Sequence, residues 1–325
     1  MSARGSGGPL VTVIVPGFDV APWARDAIDS LRAQTLADWV AVLVDDASVD
    51  GTGDLFDELA AEDARLRVVH HPARRGLGAA RNTGLDLVDT PFVAFLDADD
   101  VMAPGALERL VGTLEATGSD FAVGAYVRLR PTGDGSGTYA VGDVQPWVAA
   151  ATAPERRGTT ITAHPEASGN IVAWSKVSRT AFWRRNGMRF PEGRLYEDQI
   201  VAQLMYAKAR RFDVVPDVVV QWRERADGSS ITQRTADVAV LRDYLGALDD
   251  GLAVLDAAGL TAAAEARVRL ILAMDLPPLA RIAATHPDDA YRRALGAFAR
   301  RLWQRPTRPQ LDAGTIAVVT TATLW

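Results

Sequence analysis

Three observations predict an α/β fold, a mostly parallel sheet flanked by helices, followed by a helical C-terminal extension. From Leu10 to Tyr126, short apolar β-branched runs alternate with amphipathic helical patterns, an alternation that builds parallel strands joined by right-handed crossovers. The second and fourth of these runs end on paired acidic residues, Asp45-Asp46 and Asp97 to Asp100. From Ala236 onward the strand pattern stops, and Leu, Ala and Arg recur in helical order over 236–258, 261–284 and 288–304.

Taken in order, Leu10–Val15 reads as a buried strand ending at Pro16, being apolar, β-branched and closed by a turn former. Ala21–Gln34 sets Trp23, Ile28 and Leu31 on about one face, as a helix on a sheet requires. Val40–Val44 is the second strand, and a helix over about Thr52–Ala64, a strand over Leu66–His70, a helix over Leu77–Leu87 and a strand over Phe92–Leu96 follow. Pro104–Thr117, with proline in its first turn, leads to a fifth strand near Phe121–Tyr126. Pro131–Gly169, rich in Gly, Ala, Thr and Pro with weak periodicity, predicts loops or a short helix. Apolar residues return over Asn170–Val177, a helix is expected over Glu197–Arg210, and Phe212–Val220 reads as strand interrupted by Pro216. The organisation expected is a flexible leader over 1–9, one sheet domain over 10–234, a separate helical region over 235–310, and in 311–325 the start of a further, truncated domain. Thr315–Val319 is read there as a strand without a partner.

Composition narrows the function. Of 325 residues 48% are hydrophobic and 23% charged, the balance of a soluble globular chain. The net charge of -6 offers no general attraction to nucleic acid phosphates. With 0 cysteines, disulfides, thiolate zinc sites and cysteine nucleophiles are excluded. The 4 histidines have no ligand-like spacing. No apolar run approaches the roughly 20 residues of a bilayer span, and the first nine residues lack a secretory apolar stretch. The expected location is cytoplasmic, compatible with the inner face of the membrane. The basic amphipathic segment Arg292–Trp303 is compatible with a membrane surface or a partner, including a second copy in a homo-oligomer, but a docked helix is the expectation.

In open α/β sheets ligands bind beyond the carboxyl ends of the strands, and the polar motifs fall there. Asp97 and Asp99 stand two apart after a buried strand, so in extended backbone both carboxylates point the same way. Asp100 adds a third. Hard oxygens in an open loop suit Mg²⁺ or Mn²⁺, whose shell diphosphate oxygens complete; the alternative is an acidic start to the next helix. In Asp45-Asp-Ala-Ser-Val-Asp-Gly-Thr52 turn and cap chemistry explains Ser48 to Thr52, which leaves Asp46 to accept bonds from a base or ribose. Gly76-Leu-Gly-Ala-Ala-Arg-Asn-Thr-Gly84 permits close backbone approach and carries Arg81, which either faces a diphosphate or pairs with an aspartate on the same rim. Pro16-Gly17-Phe18 replaces the glycine-rich turn of a dinucleotide fold, which argues against a dehydrogenase. It also argues against a nucleotide-sugar pyrophosphorylase, which would want a Gly-rich, Arg-containing loop there.

Together, Val11-Thr-Val-Ile-Val-Pro16, the Asp45–Thr52 and Gly76–Gly84 segments and Phe95-Leu-Asp-Ala-Asp-Asp100 resemble family 2 glycosyltransferases of GT-A fold, over about residues 10–232. The resemblance implies an inverting transfer from a nucleotide sugar, UDP-linked, to a hydroxyl of a glycan, polyol phosphate polymer or lipid-linked acceptor in cell-surface polymer synthesis. It implies that Pro16 and Phe18 line the base pocket, with Phe18 and Asp19 where the family usually has Tyr and Asn. Asp46 would read uracil or ribose, Arg81 would lie near the nucleotide, Asp97 would touch ribose or donor sugar, and Asp99 would hold the Mn²⁺ or Mg²⁺ ion. Leu195-Tyr-Glu-Asp-Gln199 resembles the family's Glu-Asp pair, making Asp198 the general base beside Glu197. Trp174-Ser-Lys176 resembles a Trp-x-Lys element, placing Trp174 and Lys176 at the acceptor or donor sugar. Arg225 with Ser230, or Ser229 because this loop has one extra residue, resembles a loop closing over the diphosphate. A non-catalytic nucleotide-sugar or glycan-binding module of the same fold is the alternative.

Overall fold

A computed structural model describes residues 8–133, 137–228, 230, 234–305 and 310–325; most of the expected leader lies outside the described residues. The first half follows the predicted alternation. Strands β1 (Val11–Gly17), β2 (Trp39–Asp45), β3 (Leu66–His70) and β4 (Phe92–Phe95) are joined by α1 (Ala21–Arg32), α2 (Thr52–Glu62) and α3 (Leu77–Asp86). Then come β5 (Val101–Met102), α4 (Ala106–Thr117), β6 (Phe121–Pro131), β7 (Tyr139–Val141), α5 (Pro146–Thr152) and β8 (Arg156–Thr159). β9 (Lys176–Arg179), α6 (Thr180–Asn186), α7 (Asp198–Lys208) and β10 (Phe212–Arg223) complete the sheet domain.

The strand order is β3-β2-β1-β4-β9-β6-β10-β5, with β7 on β6 and β8 on β10. The β2–β3, β1–β2, β1–β4 and β6–β10 pairs are parallel, while β9 runs antiparallel to both β4 and β6. The sheet is therefore mixed: β1, β2, β3, β4, β6 and β10 share one direction, while β9 at the centre and β5, β7 and β8 run against them. β1 is buried along its whole length, as a strand covered by helices on both faces must be. Pro216 does not interrupt β10: it is exposed, at a register shift between Val214 and Val218, and a strand tolerates a missing N–H at such an irregularity.

The extension comprises α8 (Val238–Ala257), α9 (Thr261–Leu270), a π turn over Ile271–Asp275, α10 (Leu276–Thr285), α11 (Asp289–Trp303) and α12 (Ala313–Thr323). The predicted helix over 261–284 is thus divided ahead of Pro277-Pro278, which supply no backbone donors. Two expectations are corrected. The helical region is not separate, because Leu255, Ala263 and Ala264 are buried in the same core as the sheet. Thr315–Val319 is helix, not strand. Asp312 caps α12 by accepting from the Thr315 amide at 3.0 Å, and Val319 and Ala322 bury into a second core with Leu295 and Phe298 of α11. A β-branched run with no ladder to join takes the conformation that satisfies its own backbone. Among the described residues no helix is long and apolar enough to cross a membrane.

Candidate active site

The parallel strands deliver their acidic loops to one edge. After β4 the chain turns at 98–100 instead of running on extended, and each aspartate gains a partner of its own. Asp97 accepts from Arg81 Nη2 at 2.6 Å, Asp99 Oδ2 from Arg225 Nε at 2.7 Å, and Asp100 Oδ1 from the Arg223 amide at 2.8 Å. Asp100 Oδ2 is buried without a partner. Burial raises the pKa of Asp99 against the pull of Arg225, with Asp97 adding repulsion; burial and then Asp99 and Asp97 raise that of Asp100 well above the usual range.

Of the two readings of Arg81, the structure shows pairing on the rim. Arg81 is 1% exposed on α3, and its second nitrogen donates to Glu197 just ahead of α7. One buried guanidinium thereby ties the tip of β4 to the start of α7, the rim-pairing alternative. Two glycines of this motif, Gly78 and Gly84, serve packing. A Cβ on Gly78 would collide with the Pro191 carbonyl, and one on Gly84 with Ile14 of β1. Asn82 continues the tie, donating to Phe190 O at 2.9 Å and accepting from the Phe190 amide at 2.9 Å.

Asp46 is likewise spent within the protein. It is 2% exposed and accepts from the Arg75 and Gly76 amides at 2.8 and 2.7 Å, with His71 Nδ1 at 2.6 Å. His71 Nε2 lies 2.9 Å from Thr83 Oγ1. Asp46 therefore fixes the loop entering α3 instead of presenting an open acceptor. Reading the histidines singly missed His71; the available signal was His70-His71 at the end of a strand in parallel register with the one ending in Asp45-Asp46. Pro16 lies within β1 opposite Val44. Phe18, half-buried at the strand's end, carries the Arg74 guanidinium 3.9 Å above its ring, a cation–π contact that covers this ring face.

Glu197 and Asp198 meet this cluster from α7. Tyr196, immediately before them, has φ of 59°, a left-handed conformation rare for an aromatic residue. Burial, opposed by Arg81 and reinforced by Asp97, pushes Asp198 up to about 6; burial, opposed by Arg81, pushes Glu197 up to about 7. Asp198 and Lys176 both line a small cavity with Phe95, Ser178, Trp183 and Phe190.

Trp174 and Lys176 are both internal. Trp174 is 5% exposed, edge-on to Tyr126 at 4.8 Å. The Lys176 ammonium donates to Asn170 O, Asn170 Oδ1 and Val172 O at 3.0, 2.6 and 2.6 Å, using all three of its protons. Burial lowers its pKa to about 7, with Asp198 opposing. Arg225, besides bonding Asp99, lies 4.6 Å over the Trp23 ring. Ser230 is half-buried, while Ser229, Ile231 and Thr232 fall outside the described residues.

The acidic tip suits a hard divalent cation. Asp97, Asp99 and Asp100 supply only oxygen donors, and the Asp100 oxygen beside two other carboxylates is buried without a partner. Among the described residues no three acidic or histidine side chains form a complete cage. Such a site matches Mg²⁺ or Mn²⁺ held by one or two carboxylates plus ligand phosphates.

The paired acids stand at the edge where open α/β sheets take their ligands, and comparison with known proteins shows what the chain resembles. Residues 12–139 match the model of glycosyl transferase family 2. That segment is similar to the family, and the chain as a whole has a GT-A-like fold. The uncharacterized glycosyltransferase EpsJ of Bacillus subtilis is 40% identical over 107 residues, 33% of this chain and 31% of EpsJ. Glycosyltransferase GlyG of Streptococcus pneumoniae is 22% identical over 239 residues, 73% of this chain and 77% of GlyG. The S. aureus TarS 1-349 structure in complex with UDP-GlcNAc superposes with a TM-score of 0.71 at 18% identity, over 97% of this chain and 87% of that one.

Proposed function

We propose that this protein is an inverting glycosyltransferase that moves a hexosyl or N-acetylhexosaminyl group from a UDP-sugar to a hydroxyl acceptor in cell-surface polysaccharide, teichoic-acid-like polymer or glycolipid synthesis. The observation carrying this reading is the convergence of Asp97, Glu197 and Asp198 on the buried Arg81, at the edge where Asp99 and Phe18 stand. TarS supports the donor class, since its structure holds UDP-GlcNAc.

Phe18 gives the base an apolar face on which to stack. Asp99, with Asp97 beside it, would hold the Mn²⁺ or Mg²⁺ ion, which neutralises charge on the departing diphosphate. Asp198, ionised above a pKa of about 6, accepts the proton of the acceptor hydroxyl as that oxygen attacks the anomeric carbon from the face opposite the diphosphate. A nucleoside diphosphate leaves as a stabilised anion, so one base suffices where a hydrolytic inverting site needs an acid as well. Glu197 shares Arg81 with Asp97 and holds the start of α7 against the β4 loop.

The test is a panel of UDP-sugars assayed for UDP release with Mn²⁺ present. At least one donor should turn over in the wild type and none in Asp198→Asn, while both bind UDP. Turnover that survives in Asp198→Asn would remove the base assignment; UDP binding without turnover of any donor or acceptor would favour the binding-module alternative.

A further inference from the structure

The segment that carries the base is held from outside the sheet domain. Arg194 Nη1 donates to Asp250 Oδ2 at 2.6 Å, and the Leu195 amide donates to Asp243 Oδ2 at 3.2 Å. The Tyr196 ring lies against Tyr244, centroids 4.6 Å apart. Gln199 Oε1, on the first turn of α7, accepts from Arg267 Nη2 at 3.2 Å, and both residues are 4% exposed. Asp243, Tyr244 and Asp250 belong to α8 and Arg267 to α9. α8 comes close to α7 here: a Cβ on Gly251 would lie 3.5 Å from the Gln199 carbonyl.

These contacts bracket the left-handed residue. Tyr196 has no intrinsic reason to hold φ at 59°, and a strained conformation persists only where its surroundings over-determine it. The peptides that follow it carry Glu197 to Arg81 and Asp198 to the cleft. If Tyr196 relaxed to negative φ, both carboxylates would swing away together.

We propose that the helical extension is a working part of the active site, with Asp243, Tyr244 and Arg267 as positioning residues that clamp residues 194–199 and thereby fix the Asp198 carboxylate. This rests on the reading of Asp198 as the base. Misplacing a reacting group by about 1 Å costs on the order of 100-fold in rate, so loosening the clamp lowers kcat and leaves donor binding, which lies on the β1 and β4 loops, unchanged.

The experiment uses the full chain, with hydrogen–deuterium exchange and donor kinetics run side by side on Tyr244→Ala, Tyr244→Phe, Asp243→Ala and Asp243→Asn. Tyr244→Phe keeps the ring and Asp243→Asn keeps an acceptor for the Leu195 amide. Both alanine variants should speed exchange over 195–199 and lower kcat by about tenfold or more, with donor KM within about twofold; the conservative variants should restore both. Unchanged exchange over 195–199 overturns the clamp, and faster exchange with unchanged kcat overturns its catalytic role. Protection lost equally in α3 and β4, with kcat and KM failing together, marks general destabilisation and also overturns it. Asp198→Asn, assayed in parallel, judges the base assignment independently, because the exchange result does not depend on turnover.

Discussion

Asp198 sits in a place that is bad for stability and good for chemistry. Its raised pKa means that the ionised form is penalised in the fold: the penalty is fully present above about pH 6 and absent below the ordinary carboxylate value of 3.8. Asp198→Asn should therefore melt a few degrees above wild type at pH 7.5, with the gap closing by about pH 4 in scanning calorimetry. With Asp198 as the proposed base, kcat/KM should fall about tenfold per pH unit below about 6. At the proposed cation site, Asp99→Ala should weaken Mn²⁺-dependent UDP binding on the order of tenfold or more by titration calorimetry, and EDTA should reproduce the loss in wild type. Arg81 is the costliest single residue to lose. Arg81→Met strands two carboxylates, one of them buried, and breaking such a pair costs about 3–5 kcal/mol; urea unfolding should show that loss, and a midpoint equal to wild type would contradict the buried bridge.

At the scale of elements, α3 is seated by glycine on both sides. Gly78→Ala forces a methyl group into the Pro191 carbonyl, an overpacking expected to cost about 1–3 kcal/mol. Gly112→Ala on α4, where nothing lies within 4 Å of the added Cβ, should instead stabilise by about 0.4–1 kcal/mol. Chemical denaturation of the pair separates close approach from helix propensity. Elements with a local cause were legible beforehand: β1 to β4 from their apolar runs, and the acidic tips from their place at strand ends. Partners were not. Arg81 finds Glu197 across 116 positions of sequence, and Asp46 is buried by a register between β2 and β3 that no local pattern states. The resemblance of Trp174-Ser-Lys176 to a Trp-x-Lys element implies contacts with a sugar, and both side chains are internal. Thr315–Val319 looked like strand because β-branched residues favour one, and a helix surface waiting to be covered decided otherwise.

Over the whole molecule, the boundary near residue 235 is one of pattern and not of packing. Leu255, Ala263 and Ala264 complete the main core, so a chain ending at 234 would expose the α7 surface that α8 covers. Such a fragment should express as an aggregating, dye-binding species without a cooperative melt; a sharp transition would show the sheet domain to be self-sufficient. The inventory of amines carries a practical corollary. Lys176 and Lys208 are the sole lysines, and the first is sealed among carbonyls while the second is exposed at the far end of α7. Amine-directed reagents should therefore mark, besides the amino terminus, one exposed lysine, Lys208, about 15 Å along the helix axis from Asp198 at 1.5 Å per residue. A fluorophore or surface tether attached there would report on the reaction centre without touching it.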